Sequence, residues 1–131
     1  MNPRLLVVDA SAVVEVLRRS KLGDVVAGAM RGADLATPAH LDAEVLSALG
    51  RLARGGETTA AAVERALAQL RRLPVERYPI TPLLERAWAL RDNVAVRDGI
   101  YVACAEMLSA TLLTLDHRLA RSSPVDVEHL P

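Results

Sequence analysis

The segment LLVVDAS, residues 5–11, decides the expected architecture because it joins an unbroken apolar run to an aspartate. Leu5 to Val8 is short, rich in leucine and valine and not alternating, as is typical of a strand buried on both faces of a parallel sheet. Asp9 follows directly, and Ser11 to Arg19 then has the apolar spacing of a helix. The segment therefore predicts a strand that ends in a carboxylate and leads into a helix.

The same pattern recurs in TLLTLD, residues 111–116. Thr111 to Leu115 predicts a second buried strand, which Asp116 ends as Asp9 ends the first. In open parallel sheets, ligands bind at the carboxyl edge of the strands, at the point where strand order reverses. If the two strands are neighbours, their two carboxylates therefore meet in one crevice.

Helices and short strands are expected between these two segments. The predicted helices cover residues 24–30, 41–54, about 59–73, about 81–91 and 96–109, the fourth of them starting at Thr81 and Pro82. The predicted strands cover 35–37 and 75–78, and a short helix and a weak strand near Val127 finish the chain. Strands that alternate with helices indicate an α/β fold with a parallel sheet and helices on both faces.

Size and composition favour one domain that covers residues 1–131. Of the 131 residues, 51% are hydrophobic, which is enough for one sizeable core but not for two. The 16 basic and 16 acidic residues cancel, so the overall charge gives no support for nucleic-acid binding. One tryptophan and two tyrosines, with no phenylalanine, are too few for a base-stacking surface of clustered aromatic residues.

Cysteine content and the first residues bear on the compartment. Cys104 is the only cysteine, which excludes an intrachain disulfide and agrees with a reducing compartment. The apolar run before Asp9 is too short for a signal peptide, and a membrane helix needs about 20 residues. We therefore expect a soluble, cytoplasmic protein that does not enter a membrane.

Two further acids lie beside apolar surface. Glu44 stands between Leu41 and Val45 at the border of a helix's apolar stripe, and Asp98 lies in the first turn of the most apolar helix. A buried carboxylate is costly unless it is paired or binds a metal ion. No lysine lies near either acid in the sequence, so a cation is the expected partner.

These acids suit one or two Mg²⁺ or Mn²⁺ ions. Carboxylates at close range repel each other unless they are protonated or bridged by a cation, and oxygen ligands suit hard cations, whereas histidine and cysteine suit zinc. Such ions lower the pKa of bound water and stabilise a leaving oxygen, which favours phosphodiester hydrolysis. The same carboxylates would equally suit a phosphatase. The four acids are Asp9, Glu44, Asp98 and Asp116.

Each acid also has a purely structural interpretation. Asp9 and Asp116 could cap the helices that follow them. Glu44 could be a solvated helix residue, and Asp98 could only favour the helix dipole. No cluster is expected among the histidines, which are His40, His117 and His129.

Four segments together resemble the motifs of the PIN-domain family. They are VVDAS at 7–11, LDAEVLSAL at 41–49, RDGIYVACAE at 97–106 and LLTLDHRLA at 112–120. Their order, their spacing and their placement on strand, helix, helix and strand are more specific than any single motif. Within the family, the short length and the ending T-L-D-x-R-L-A are similar to VapC-type toxins of bacterial type II toxin–antitoxin pairs.

The resemblance implies a three-layer α/β/α fold with a central parallel sheet of about five strands. It also implies an endoribonuclease that needs Mg²⁺, with Mn²⁺ as an alternative, and that cleaves transfer or ribosomal RNA. A cognate antitoxin whose tail enters the active site, and a homodimer, are implied as partners.

Matched position by position, the resemblance makes four residues both catalytic and metal-binding, with two hydroxyl residues in support. The catalytic set is Asp9, Glu44, Asp98 and Asp116, and the supporting hydroxyls are Ser11 and Thr114. Arg97 departs from the aromatic or small residue often found before the third acid.

Two alternatives to a ribonuclease toxin stay open. A small metal-dependent phosphatase of the haloacid-dehalogenase type would need a second acid where Ser11 stands. A catalytically silent PIN-like protein that only binds a partner would be expected to have lost at least one of the four acids. The ribonuclease toxin is therefore the favoured hypothesis.

Overall fold

The computed structural model describes residues 4–130, in which helices cover both faces of a parallel sheet. The five strands of these residues are β1 (Leu5–Val8), β2 (Asp34–Pro38), β3 (Val75–Tyr78), β4 (Thr111–Thr114) and β5 (Val127–His129). Their seven α-helices are α1 (Ala10–Arg18), α2 (Lys21–Met30), α3 (Leu41–Arg54), α4 (Ala60–Arg72), α5 (Leu84–Ala89), α6 (Val96–Leu108) and α7 (His117–Ser122). The predicted three-layer α/β/α class is confirmed.

The strand order β3-β2-β1-β4-β5 places the topological switch point between β1 and β4. These two strands pair in parallel, with Val8 opposite Leu113. Asp9 and Asp116 follow the two strands, so both leave the sheet at the same edge. The two strands are therefore neighbours, as a shared crevice for their two carboxylates requires.

The core lies around the two central strands and α6. Val7, Val8, Leu112 and Leu113 are fully buried, because helices cover both faces of the sheet at these strands. Helix α6 is buried along its run from 99 to 105, as its nearly continuous apolar sequence predicts. No helix within residues 4–130 is long and apolar enough to cross a membrane.

Two predicted helix boundaries need correction. Helix α2 begins at Lys21 rather than near Asp24, because the Ser20 Oγ accepts a hydrogen bond from the Gly23 amide at 2.9 Å and so caps the helix earlier.

The single helix expected from Thr81 to about Arg91 is instead a 3-10 turn over Thr81–Leu83 followed by the short α5. The chain turns at Leu90, whose carbonyl accepts from the Val94 amide at 3.0 Å. The side chains of Leu90 and Val94 are both buried there.

Candidate active site

A cavity of about 970 Å³ opens at the carboxyl edge of the sheet, between α1, α3 and α6. Its walls include the residues that follow β1 and β4, which the strand order makes neighbours. All four acids predicted from the sequence line this cavity, namely Asp9, Glu44, Asp98 and Asp116. Residues far apart in the chain thus share one site.

Asp9 is the most enclosed of the acids and is 4% exposed. Its Oδ1 accepts hydrogen bonds from the Ser11 hydroxyl at 2.6 Å and from the Ala12 amide at 3.1 Å, while its Oδ2 accepts from the Thr114 hydroxyl. The Ala12 contact caps α1, so the structural interpretation of Asp9 is correct. Capping uses part of one oxygen only, and it leaves the carboxylate in the cavity wall.

The buried position of Asp9 changes its acidity. Burial raises its pKa to about 6, and the hydrogen bonds from Ser11, Thr114 and the Ala12 amide oppose this increase. The charge of Asp98 adds to it. The ionised form of Asp9 is therefore less favourable than it is in water, and a bound cation would favour it.

The two supporting hydroxyls lie between the ends of β1 and β4. Thr114 is fully buried; it donates to Asp9 and accepts from the Asp116 amide at 3.0 Å. The Ser11 hydroxyl likewise accepts from the Leu115 amide at 3.0 Å. Both residues therefore hold the first acid in one orientation and tie it to the chain segment that carries the fourth.

Asp98 and Asp116 face the same cavity with less burial. Asp116 caps α7, since its Oδ1 accepts from the amides of Arg118 at 2.9 Å and Leu119 at 3.2 Å. Burial raises the pKa of Asp98, the charges of Asp116 and Glu44 raise it further, and Arg97 opposes them. Asp98 therefore lies within reach of the charges of two other site carboxylates, which repel it.

Glu44 has partners that sequence reasoning missed. Its Oε1 accepts from the Tyr101 hydroxyl at 2.6 Å, and its Oε2 lies 2.9 Å from the Arg97 Nε in an ion pair. The side chain is only 16% exposed, so the interpretation of Glu44 as a solvated helix residue is wrong. Arg97 and Tyr101 are four residues apart on α6 and so share one face, a spacing that could have indicated a common partner.

The histidines depart from the expectation in one case. The rings of His117 and His129 meet edge to face with centroids 4.2 Å apart, so the prediction that the histidines do not cluster is wrong for this pair. Pairing of β4 with β5 places His129 opposite Thr114, which the weak sequence signal of β5 did not show. His40 packs against the Tyr101 ring at 4.6 Å, and burial lowers its pKa although Glu44 opposes this.

The four acids suit a hard divalent cation because they offer carboxylate oxygens and because their negative charges repel one another without a cation. They do not form a complete ligand shell. Within residues 4–130, no three Asp, Glu, His or Cys side chains lie close enough together to hold an ion by themselves. Mg²⁺ is usually bound through one or two carboxylates and keeps several water molecules. A site in which water completes the coordination is therefore compatible with this geometry.

Comparison with known proteins identifies the family to which the chain is similar. The model of the PIN domain matches residues 6–123. The chain is 46% identical to Ribonuclease VapC3 of Mycobacterium tuberculosis over 123 residues, which are 93% of this chain and 90% of that protein. The range that the family model matches spans the positions of all four acids and both supporting hydroxyls.

Solved structures have the same fold over nearly the full length. PAE2754 from Pyrobaculum aerophilum is 25% identical, with a TM-score of 0.70 that covers 95% of this chain and 83% of that one. A toxin–antitoxin complex from Klebsiella pneumoniae contains a chain that is 16% identical, with a TM-score of 0.69 over 94% of this chain and 95% of that one. At that identity, the second likeness concerns the fold.

Proposed function

Because this chain belongs to the PIN-domain family, we propose that it is a metal-dependent endoribonuclease of the VapC type and the toxin of a toxin–antitoxin pair. The observation that carries the proposal is the convergence of four carboxylates on one cavity at the switch point of the sheet. The extensive identity to Ribonuclease VapC3 supports RNA as the substrate.

In the proposed mechanism, Asp9, Glu44, Asp98 and Asp116 would hold Mg²⁺ or Mn²⁺. When bound, such an ion would supply activation of a water molecule and stabilisation of charge on the phosphate. Asp9 stays in one orientation because its oxygens accept hydrogen bonds from both supporting hydroxyls.

Two of the other acids, Asp116 and Glu44, are oriented by different elements of the fold. The amides at the start of α7 direct Asp116, and the Tyr101 hydroxyl directs Glu44. Such preorganisation lowers the cost of assembling charge around the reacting phosphate. Asp9, Glu44 and Asp116 are therefore each held by a group that does not itself need to bind the ion.

We further propose a cognate antitoxin protein as the partner. The Klebsiella pneumoniae structure shows that this fold occurs in toxin–antitoxin complexes. Transfer or ribosomal RNA as the substrate, a homodimer, a cytoplasmic location and one domain over residues 1–131 are proposed on the family resemblance. The phosphatase alternative has no support in the site, because Ser11 replaces the second acid and hydrogen-bonds to Asp9.

The purified chain is expected to cleave single-stranded or structured RNA in the presence of Mg²⁺ or Mn²⁺ and to lose this activity in EDTA. The reason is that the carboxylates repel each other and the RNA phosphates unless a cation is bound. Gel analysis of labelled RNA measures the cleavage, and excess Mg²⁺ added after EDTA is the control. Equal cleavage in EDTA would contradict the metal dependence.

Expression of the chain in bacteria without a partner protein is expected to arrest growth, because RNA cleavage would then proceed unchecked. Growth curves after induction measure the effect, and the Asp98→Asn variant at matched expression is the control. Normal growth of cells that contain the soluble, folded parent chain would instead favour the catalytically silent, partner-binding alternative.

A further inference from the structure

Among residues 4–130, Arg97 is the arginine that forms an ion pair with one of the four site acids, Glu44. These acids are called the acid quartet below and are Asp9, Glu44, Asp98 and Asp116. Arg97 occupies the first turn of α6 beside Asp98 and lines the cavity. Its side chain is 76% exposed, although its Nε lies 2.9 Å from the Glu44 Oε2. The guanidinium is therefore held through its Nε beside a proposed catalytic carboxylate, and its exposed part can contact a ligand.

The cavity as a whole is acidic, so a positive charge in its wall matters for the approach of an RNA phosphate. Its lining acids are Asp9, Glu15, Glu44, Glu57, Asp98 and Asp116, and its lining arginines are Arg18, Arg51 and Arg97. Arg18 pairs with Glu15 at 3.3 Å, and Arg51 donates to the Ser47 hydroxyl at 2.9 Å. An RNA phosphate entering this cavity therefore meets net negative charge unless a cation and Arg97 offset it.

A hydrogen bond from a buried tyrosine holds Glu44, the ion-pair partner of Arg97, in place. Tyr101 is 1% exposed, and its hydroxyl donates to the Glu44 Oε1 at 2.6 Å. Glu44 keeps acceptor capacity beyond these contacts, since a carboxylate has about four lone-pair sites. It can therefore hold Arg97 and still face a cation.

The rest of the guanidinium is uncommitted. Within residues 4–130, no further ion pair or side-chain hydrogen bond engages Arg97. A guanidinium carries five N–H donors in a planar fork that matches the oxygens of a phosphate. The two terminal nitrogens are thus available to a phosphate beside the acids.

We propose that Arg97 binds a backbone phosphate of the RNA next to the acid quartet, with Glu44 and Tyr101 acting as positioning residues for its guanidinium. The proposal rests on the proposed function, because it assigns a substrate contact in the same site. It makes Arg97 a determinant of RNA affinity rather than of the hydrolytic step.

The test measures binding separately from cleavage. Fluorescence anisotropy follows a labelled single-stranded RNA that binds the full chain with saturating Ca²⁺, at a series of KCl concentrations. The variants are Arg97→Ala and Arg97→Lys, and the control is Arg31→Ala, which removes an exposed arginine that does not line the cavity.

Arg97→Ala is expected to raise the Kd about tenfold, the equivalent of one exposed charged hydrogen-bonding contact. It should reduce the slope of log Kd against log salt by about 0.7, the value for one phosphate contact on a single strand. Arg97→Lys should keep the slope, because it keeps the charge, but should bind less tightly because it lacks the fork. Arg31→Ala should leave the Kd and the slope unchanged.

A parental Kd and slope in Arg97→Ala would overturn the inference, and so would an equal effect of Arg31→Ala. If Arg97 only positioned Glu44 for the ion, the Arg97→Ala variant would need more Ca²⁺ to bind RNA but would show the parental Kd at saturating Ca²⁺. That result would also overturn the inference. RNA binding that depends on Arg97 in a parent chain that never cleaves RNA would contradict the proposed function alone. Cleavage by the parent without an Arg97 effect on binding would contradict the inference alone.

Discussion

Asp98→Asn is expected to slow Mg²⁺-dependent RNA cleavage by at least about a hundredfold, because a metal ion contributes several kcal/mol of charge stabilisation and each 1.4 kcal/mol is a factor of ten. Asp98 faces the cavity, and after burial its pKa is raised most by Asp116 and then by Glu44. A neutral amide at position 98 removes one of the negative charges that would attract the metal ion. Initial rates at saturating Mg²⁺ on one labelled RNA measure the effect.

The matched control for this variant is Asp92→Asn, which makes the same chemical change at an exposed residue outside the cavity. It should cleave RNA at the parental rate. Circular dichroism spectra of both variants should match the parent, since Asp98 is only half-buried and accepts no hydrogen bond within residues 4–130. Cleavage by Asp98→Asn as fast as by the parent would remove Asp98 from the proposed catalytic set.

Asp9→Asn is expected to raise the free energy of unfolding of the metal-free chain by about 3 kcal/mol at about pH 8, since one pKa unit corresponds to about 1.4 kcal/mol. Burial raises the pKa of Asp9 from 3.8 to about 6 in the folded chain. Protonated Asp9 therefore stabilises the fold below the unfolded pKa, and this contribution is lost as the pH rises through about 6. Asparagine stays neutral, so it does not have this loss.

Urea unfolding at about pH 4 and about pH 8 in EDTA measures the prediction through its pH dependence. The variant should gain stability over the parent mainly at the higher pH, while Asp92→Asn should show no such difference. Mg²⁺ should stabilise the parent at the higher pH and have less effect on Asp9→Asn, because a ligand stabilises only the state that binds it. An equal gain at both pH values would show that charge burial at Asp9 is not the cause.

The two predictions together describe a site that is unfavourable without its cation. The hydroxyls of Ser11 and Thr114 lessen the cost of burying Asp9, yet its pKa stays raised. A carboxylate kept for binding a cation costs stability in the metal-free protein. Loss of activity together with gain of stability in Asp9→Asn would distinguish this functional role from a purely capping role, which would cost stability when removed.

Local sequence was sufficient to predict the strands and the two acids that follow β1 and β4. The runs of apolar residues before Asp9 and Asp116 indicate buried strands, and parallel pairing brings both strand ends to one edge. The sequence did not show whether β1 lies beside β4. The structure shows that the two strands are paired.

Tertiary packing alone selected the partners of Glu44 and the contact between His117 and His129. Helical periodicity shows which side chains share a face, but not which face of α3 meets which face of α6. That depends on how the buried side chains of both helices fit against the sheet, a property of packing over the whole core. Strand ends follow from local apolar runs, whereas the ion pair between Glu44 and Arg97 exists only because the fold brings residues of two helices that are distant in sequence to one cavity.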